Sequence, residues 1–399
     1  MPRFEPFPAI RYASELVDIQ RVVAPPYDVI SPDRRALLAA ADPHNVVHID
    51  LPDEANGLGR YDVARETFSA WQQSGVLRAD PEAAFYTYSM KLDDVAGRPV
   101  RTVGVLGALQ LSRPGEGHIL PHEQTTPKAK SDRLELLRAT RANLSAIWGL
   151  SPAAGLTALL ADAEPLAEWT ASDNTRHRLG RITDPARLAA ISKAVGGAPI
   201  VIADGHHRYE TSLTYRDERR AASIDGSAGS AELALTFVVE LVESELTVLP
   251  IHRLLHDLPA DIDLVDALAP FFELRRITLD EHRIGADMAK AGALALVLPD
   301  GAFLAVPRPE AMSGVRDLDS SRLDTALATI GPHGVRYQHG VDHVCAAVRS
   351  GSAQAGVLLR AVRVPQIAEI ARGGERMPPK STYFHPKPST GALFRSIAI

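Results

Sequence analysis

The residue types best able to do chemistry fall in the run Pro199-Ile200-Val201-Ile202-Ala203-Asp204-Gly205-His206-His207-Arg208-Tyr209-Glu210. An apolar stretch of strand type ends in Asp-Gly, and two histidines and an arginine follow where a helix should begin. A helix N-terminus offers N–H groups without intrahelical partners and the positive end of the helix dipole, which together suit a phosphate. Gly205 lets the backbone approach a ligand closely. Asp204-Gly205 is equally the signature of a plain turn, whose neighbours would then be charged surface.

A second cluster runs from His118 to Arg133 and packs Pro121-His122-Glu123, Thr125, Thr126, Lys128, Lys130, Asp132 and Arg133 into a polar loop before a helix. A carboxylate on such a loop can act as general base or hold Mg²⁺, and lysines can hold phosphate oxygens. The alternative is an ordinary polar loop in which Ser131-Asp132 caps the helix. Two stiff, proline-containing segments complete the set: Ala24-Pro25-Pro26-Tyr27-Asp28, and Met377 to Lys387 with Lys380 and Thr382. Stiff backbone positions side chains at low entropic cost, or simply covers a sheet edge. His206/Glu210 and His207/Glu210 stand at i,i+4 and i,i+3 spacing, which is not the His-Glu-x-x-His spacing of zinc proteases.

Around these clusters the elements alternate. The spacing predicts helices over 59–73, 132–142, 156–169 and 185–195, and strands over 84–92, 100–111, 146–150, 200–204 and 233–241. The last of these is apolar throughout, as expected of a central strand. Residues 115–130 read as loop. Beyond residue 260 shorter helices (263–269, 280–291, 320–329, 341–349) alternate with strands (274–278, 293–298, 303–306, 356–360), and residues 377–399 read as an extended arm. The expected fold is mixed α/β in three segments: an N-terminal α/β segment 1–115, a core 116–260 carrying the phosphate-binding turn, and a C-terminal domain 261–399 whose arm returns to the core.

The chain of 399 residues is 45% hydrophobic with a net charge of −6, a composition of globular type that argues against non-specific wrapping of nucleic acid. No stretch reaches the roughly 18 apolar residues of a membrane span, and the N-terminus lacks the apolar core of a secretory signal. Cys345 is the only cysteine, so an internal disulfide is impossible, and a reducing cytoplasm is the expected compartment. Arginine outnumbers lysine 36 to 7, yet four of the seven lysines (Lys128, Lys130, Lys380, Lys387) fall in the two proline-rich polar segments. A lysine retained in an arginine-writing chain points to a use for a compact ammonium.

Asp204-Gly205-His206-His207-Arg208-Tyr209-Glu210, Pro121-His122-Glu123, Ala24-Pro25-Pro26-Tyr27-Asp28-Val29-Ile30, Asn143-Leu144-Ser145 and Met377-Pro378-Pro379-Lys380-Ser381-Thr382-Tyr383-Phe384 together resemble the family known as domain of unknown function 1015, nearly end to end. More distantly, Pro121-His122-Glu123 followed by Asp204-Gly205-His206-His207-Arg208 looks like the free serine kinases of the ParB/sulfiredoxin superfamily. That resemblance implies a ParB/sulfiredoxin-like nucleotide-binding core elaborated by further α/β segments. It implies ATP or ADP with Mg²⁺ as cofactor and a small hydroxyl metabolite, L-serine among the candidates, as acceptor. Glu123 would be the base, Asp204 an orienting or metal-linked carboxylate, and His207 a further catalytic residue. Gly205, His206 and Arg208 would hold phosphates, with Lys128, Lys130 and Lys380. Tyr27, Asp28, Thr125, Arg133, Asn143, Glu210 and Thr382 would support substrate or structure. Sulfiredoxin chemistry is not expected, since His206 stands where that chemistry needs a cysteine, nor is DNA partitioning by an acidic chain. A nucleotide-binding regulatory or scaffold module without catalysis, and a metal-dependent hydrolase using His206, His207 and Glu210, stay open as alternatives.

Overall fold

The computed structural model describes residues 1–398 other than 56, 94–98, 114, 117, 122–126, 243–245, 374–376 and 379, and of residues 127–130, 368, 371 and 372 it describes the backbone alone. The fold is mixed α/β. It divides into two compact units: one comprises 1–247, 371–375 and 384–399, the other 248–370 and 376–383. This differs from the three expected segments, because strands from 1–115 and from 116–260 hydrogen-bond into one sheet.

That sheet has nine strands. Its main path runs Ile119–Pro121, Ile200–Asp204, Ile147–Ser151, Leu233–Glu240, Pro99–Gln110, Phe85–Asp93, Arg176–Ile182 and Glu164–Thr170. The short strand Phe4–Glu5 also pairs with Pro99–Gln110. The central strands Ile147–Ser151 and Leu233–Glu240 are buried nearly throughout, in keeping with their largely apolar sequences. Ile200, Ile202, Val238, Ile147 and Phe85 meet Ile191 and Val195 of the helix Pro185–Gly196 and Tyr209 and Leu213 of the helix His206–Ala222 in one core. Tyr209 and Leu213 are four apart, so one stripe of that helix faces the sheet and the rest faces outward. A second core gathers Tyr12, Val22, Ile49, Phe68 and Trp71 with Leu136 of the helix Pro127–Thr140 and with Phe394 from the C-terminal arm.

Two local expectations are corrected. Residues 156–169 do not form one helix: a short helix Leu156–Leu159 is followed by the strand Glu164–Thr170. Pro165 cannot donate within a continuing helix, and it is tolerated here because the strand lies at the sheet edge, paired only with Arg176–Ile182. The polar run 115–130 is not all loop, since Ile119–Pro121 is a strand and the next helix begins at Pro127, five residues before the expected start.

The second unit is a six-stranded sheet ordered Phe272–Ile277, Gly301–Pro307, Leu294–Leu298, Ala355–Leu358, His252–His256 and Gly334–Gln338, antiparallel at every pairing. Neighbouring residues of one strand serve opposite faces. Leu255 packs with Leu323 and Leu327 of the helix Asp319–Leu327, whereas Leu254 packs with Ile284 and Met288 of the helix Ile284–Ala291 and with Val344 and Val348 of the helix Val341–Arg349. Among the described residues no helix is long and apolar enough to cross a membrane.

Candidate functional site

The strand Ile200–Asp204 delivers its last side chain to the sheet end and the chain turns at Gly205, whose φ of +85° lies in the left-handed region. A side chain there would be strained, and its Cβ would sit 2.9 Å from the Arg208 guanidinium. Glycine is required because Arg208 folds back over the turn. Its Nη2 donates to Asp204 Oδ2 at 2.6 Å and its Nη1 donates to the carbonyl oxygen of Ala146. No side chain caps the helix His206–Ala222 that starts here.

The other oxygen of Asp204 is taken by Lys387, from the C-terminal arm. Lys387 Nζ donates to Asp204 Oδ1 at 2.7 Å and to Asp28 Oδ2 at 3.1 Å, and its side chain is only 9% exposed. Burial works against ionisation of Asp204, but Lys387 and Arg208, with a smaller contribution from His206, overcome it and hold the carboxyl well below the usual range. Burial likewise opposes the charge on Lys387, and the Asp204 and Asp28 carboxylates more than restore it, pushing its pKa up. Asp204 and Lys387 are therefore both charged at neutral pH. Asp204 cannot serve as a base in this state; it fixes two cations at the turn.

Beside this trio lies a second one. The Arg133 guanidinium sits 4.4 Å above the Tyr27 ring, with Nη1 3.0 Å from Asp50 Oδ1 and Nη2 2.6 Å from Asp132 Oδ2. Asp132 Oδ1 also receives the Tyr61 hydroxyl at 3.0 Å and Arg60 at 2.8 Å. Burial raises the Asp50 pKa, against the pull of Arg133 and then of Arg208, so both arginines act on one carboxylate. A cavity of ≈ 50 Å³ lies against Asp50, Arg133, Asn143 and Arg208. A cleft of ≈ 950 Å³ opens along Ser31, Arg35, Arg60, Tyr61, Asp132 and Arg133.

The strand Ile119–Pro121 runs parallel to Ile200–Asp204 with Pro121 beside Ile202. The chain therefore leaves Pro121 at the same sheet end as the Gly205 turn.

Of the residues singled out from sequence, the fold brings together Tyr27, Asp28, Arg133, Asp204, Gly205, His206 and Arg208. Glu123 and Thr125 lie outside the described residues, as do the side chains of Lys128 and Lys130, whose backbone is in the first turn of the helix Pro127–Thr140. His207 and Glu210 are half-buried on the first turn of their helix. Neighbouring helical residues point about 100° apart, and among the described residues no group of three or more His, Cys, Asp or Glu side chains could hold a metal. Among the described residues the metal-hydrolase alternative thus finds no ligand set. Asn143 is structural: its buried Oδ1 accepts from the Leu235 N–H at 2.9 Å. Lys380 and Thr382 belong to the second unit, Lys380 exposed and Thr382 half-buried. Sequence reasoning passed over Asp50 and, as a site residue, Lys387. The signal for Lys387 was present in a rare lysine between Pro386 and Pro388. Nothing in the sequence near Asp50 marked it.

The chain belongs to the family described as "Protein of unknown function (DUF1015)", whose model matches residues 4–325. Comparison with curated proteins gave no match. Similar solved structures include a conserved hypothetical protein from Pyrococcus furiosus, 13% identical, covering 67% of this chain and 87% of its own, with a TM-score of 0.36. A free serine kinase in complex with AMP is 12% identical over 67% of this chain and 83% of its own, with a TM-score of 0.37. SbnI with a C-terminal truncation, from Staphylococcus aureus, is 11% identical over 71% of this chain and 85% of its own, with a TM-score of 0.40.

Proposed function

We propose that the first unit is a nucleotide-dependent phosphotransferase that phosphorylates a small hydroxyl-bearing metabolite, with free L-serine as the first acceptor to test. The observation that carries this reading is the parallel register of Pro121 beside Ile202. Two parallel strands end together, as ligand sites of α/β sheets require. One runs into the Gly205 turn, the other into the segment containing Glu123.

Phosphoryl transfer asks for cations around the phosphate oxygens and a base at the acceptor hydroxyl. Arg208 and Lys387, already fixed by Asp204, supply charge next to the uncapped helix start, a donor set that fits the phosphates of ATP or ADP. Arg133, paired with Asp50 and Asp132, lines the large cleft beside this turn. Glu123 is assigned as the base that receives the acceptor proton. The described residues offer no group of three or more His, Cys, Asp or Glu side chains for Mg²⁺. A nucleotide-binding module without catalysis is the second reading, favoured by one fact: Arg208 and Lys387 are already neutralised by Asp204 and Asp28.

Incubation of the full chain with ATP or ADP, Mg²⁺ and a pool of hydroxylated metabolites containing L-serine, followed by phosphorus NMR, tests the reading. A new phosphomonoester resonance is expected. Nucleotide binding without product selects the second reading, and the absence of both overturns the two together.

A further inference from the structure

The second unit holds a cavity of ≈ 570 Å³, within the range of small-molecule sites. Its walls are apolar, formed by Ile284, Met288, Val341 and Leu359 among others. Two buried polar side chains line it, Asp319, whose carboxylate is held by Arg360, and His252. His252, at the start of the strand His252–His256, is 3% exposed and lines the cavity. The backbone N–H of Leu359 donates to His252 Nδ1 at 3.1 Å. That nitrogen is therefore the unprotonated one, and the neutral ring carries its hydrogen on Nε2. Among the described residues nothing accepts from Nε2. Burial, with His339 and Arg253 adding to it, lowers the His252 pKa to about 4, so the ring is a neutral donor at pH 7. A buried N–H donor without an acceptor is costly in a closed core; beside a cavity it is an unfilled contact.

The charges at the mouth narrow the ligand. Arg360 is held by Asp319 at 2.6 Å and Asp317 is held by Arg322 at 2.8 Å. Arg363 is exposed and lines the same cavity, and among the described residues no carboxylate pairs with its guanidinium. The lining thus combines an apolar body, one inward-facing N–H donor and one cation left to pair. We propose that the second unit contains a binding site of its own for a small, largely apolar carboxylate, gripped by His252 Nε2–H and Arg363.

The experiment uses the full chain with the fluorescent apolar anion 8-anilinonaphthalene-1-sulfonate as probe, and octanoate and 1-octanol as competitors. Octanoate is expected to displace the probe at about tenfold lower concentration than 1-octanol, a ratio set by one charge-assisted contact. Arg363→Gln is expected to erase that ratio, and His252→Phe to weaken octanoate about tenfold. His252→Phe also strands the Leu359 N–H and can impair folding, so a second variant is decisive. A Cβ at Gly285, which lines the cavity, would meet nothing within 4 Å, so Gly285→Trp starts its side chain in open space and is chosen to fill the cavity. It is expected to abolish the octanoate-sensitive fluorescence. Undiminished octanoate-sensitive binding in Gly285→Trp, or equal competition by octanoate and 1-octanol in the wild type, overturns the proposal.

Discussion

Lys387→Met removes the ammonium that bridges Asp204 and Asp28 while keeping the length of the side chain. In the wild type it lies 2.7 Å from one carboxylate and 3.1 Å from the other, 9% exposed. Breaking a buried ion pair from one side costs about 3–5 kcal/mol, because the surviving charge is left without its partner. Here Asp204 keeps Arg208, and Asp28 is 30% exposed and can rehydrate. The expected loss at pH 7 is therefore about 2–3 kcal/mol, at or below the lower limit of that range. The pH dependence follows from the shifts. The depressed Asp204 pKa contributes stability above the ordinary carboxylate value of about 4, lost as pH falls through the lower folded value. The raised Lys387 pKa contributes stability below its ordinary value of about 10.4, lost as pH rises through the higher folded value. The difference between wild type and variant should be flat between those limits and shrink on both sides. All three tryptophans, Trp71, Trp148 and Trp169, are in the first unit, so urea unfolding followed by tryptophan fluorescence reads that unit alone. A difference under about 0.5 kcal/mol, the scale of an exposed ion pair, would show that Lys387 does not hold the turn and refute the reasoning.

Gly205→Ala forces a side chain into the left-handed region and against the Arg208 guanidinium; a stability loss of about 1–2 kcal/mol is expected in the same assay, with nucleotide affinity falling at least tenfold by calorimetry, and unchanged affinity would remove the turn from the site. His177 stacks on Trp169 at 5.2 Å and shares a 2.8 Å hydrogen bond with the Tyr88 hydroxyl, and burial lowers its pKa to about 4. The unfolded chain takes up this proton near pH 6.5, so stability should drain as pH falls from there toward 4, by up to about 3 kcal/mol; an NMR titration midpoint at or above pH 6 would contradict this. Arg133→Gln should leave Asp50 and Asp132 without their shared cation and destabilise the first unit by about 3 kcal/mol, with an effect under 1 kcal/mol counting against the second charged trio.

The strand Ile200–Asp204, the Gly205 turn and the helix after it were legible because their signals are local: an apolar run, a glycine, and a stripe from Tyr209 to Leu213. Tyr27, Asp28, Arg133 and Arg208 were found as members of polar clusters, but their partnerships were not. Arg208 read as a phosphate ligand, and its contacts with Asp204 and Ala146 were not foreseen. Lys387 meets a carboxylate 183 positions earlier in the chain, a contact made by sheet order and the course of the C-terminal arm rather than by spacing. Asp50 was invisible for the same reason: burial and Arg133 define it, and both come from tertiary packing. The edge strand Glu164–Thr170 was hidden by its alanine-rich approach, although Pro165 already argued against a helix.

The most direct test of the central claim compares wild type with Glu123→Gln, using calorimetry for nucleotide binding and phosphorus NMR for turnover. If two strand ends form one phosphotransfer site, the variant should bind ATP or ADP within about twofold of wild type, since the phosphates are held elsewhere. Its phosphomonoester signal should fall by about 10²–10⁴, the worth of a general base. Turnover at the wild-type rate in Glu123→Gln would contradict the account.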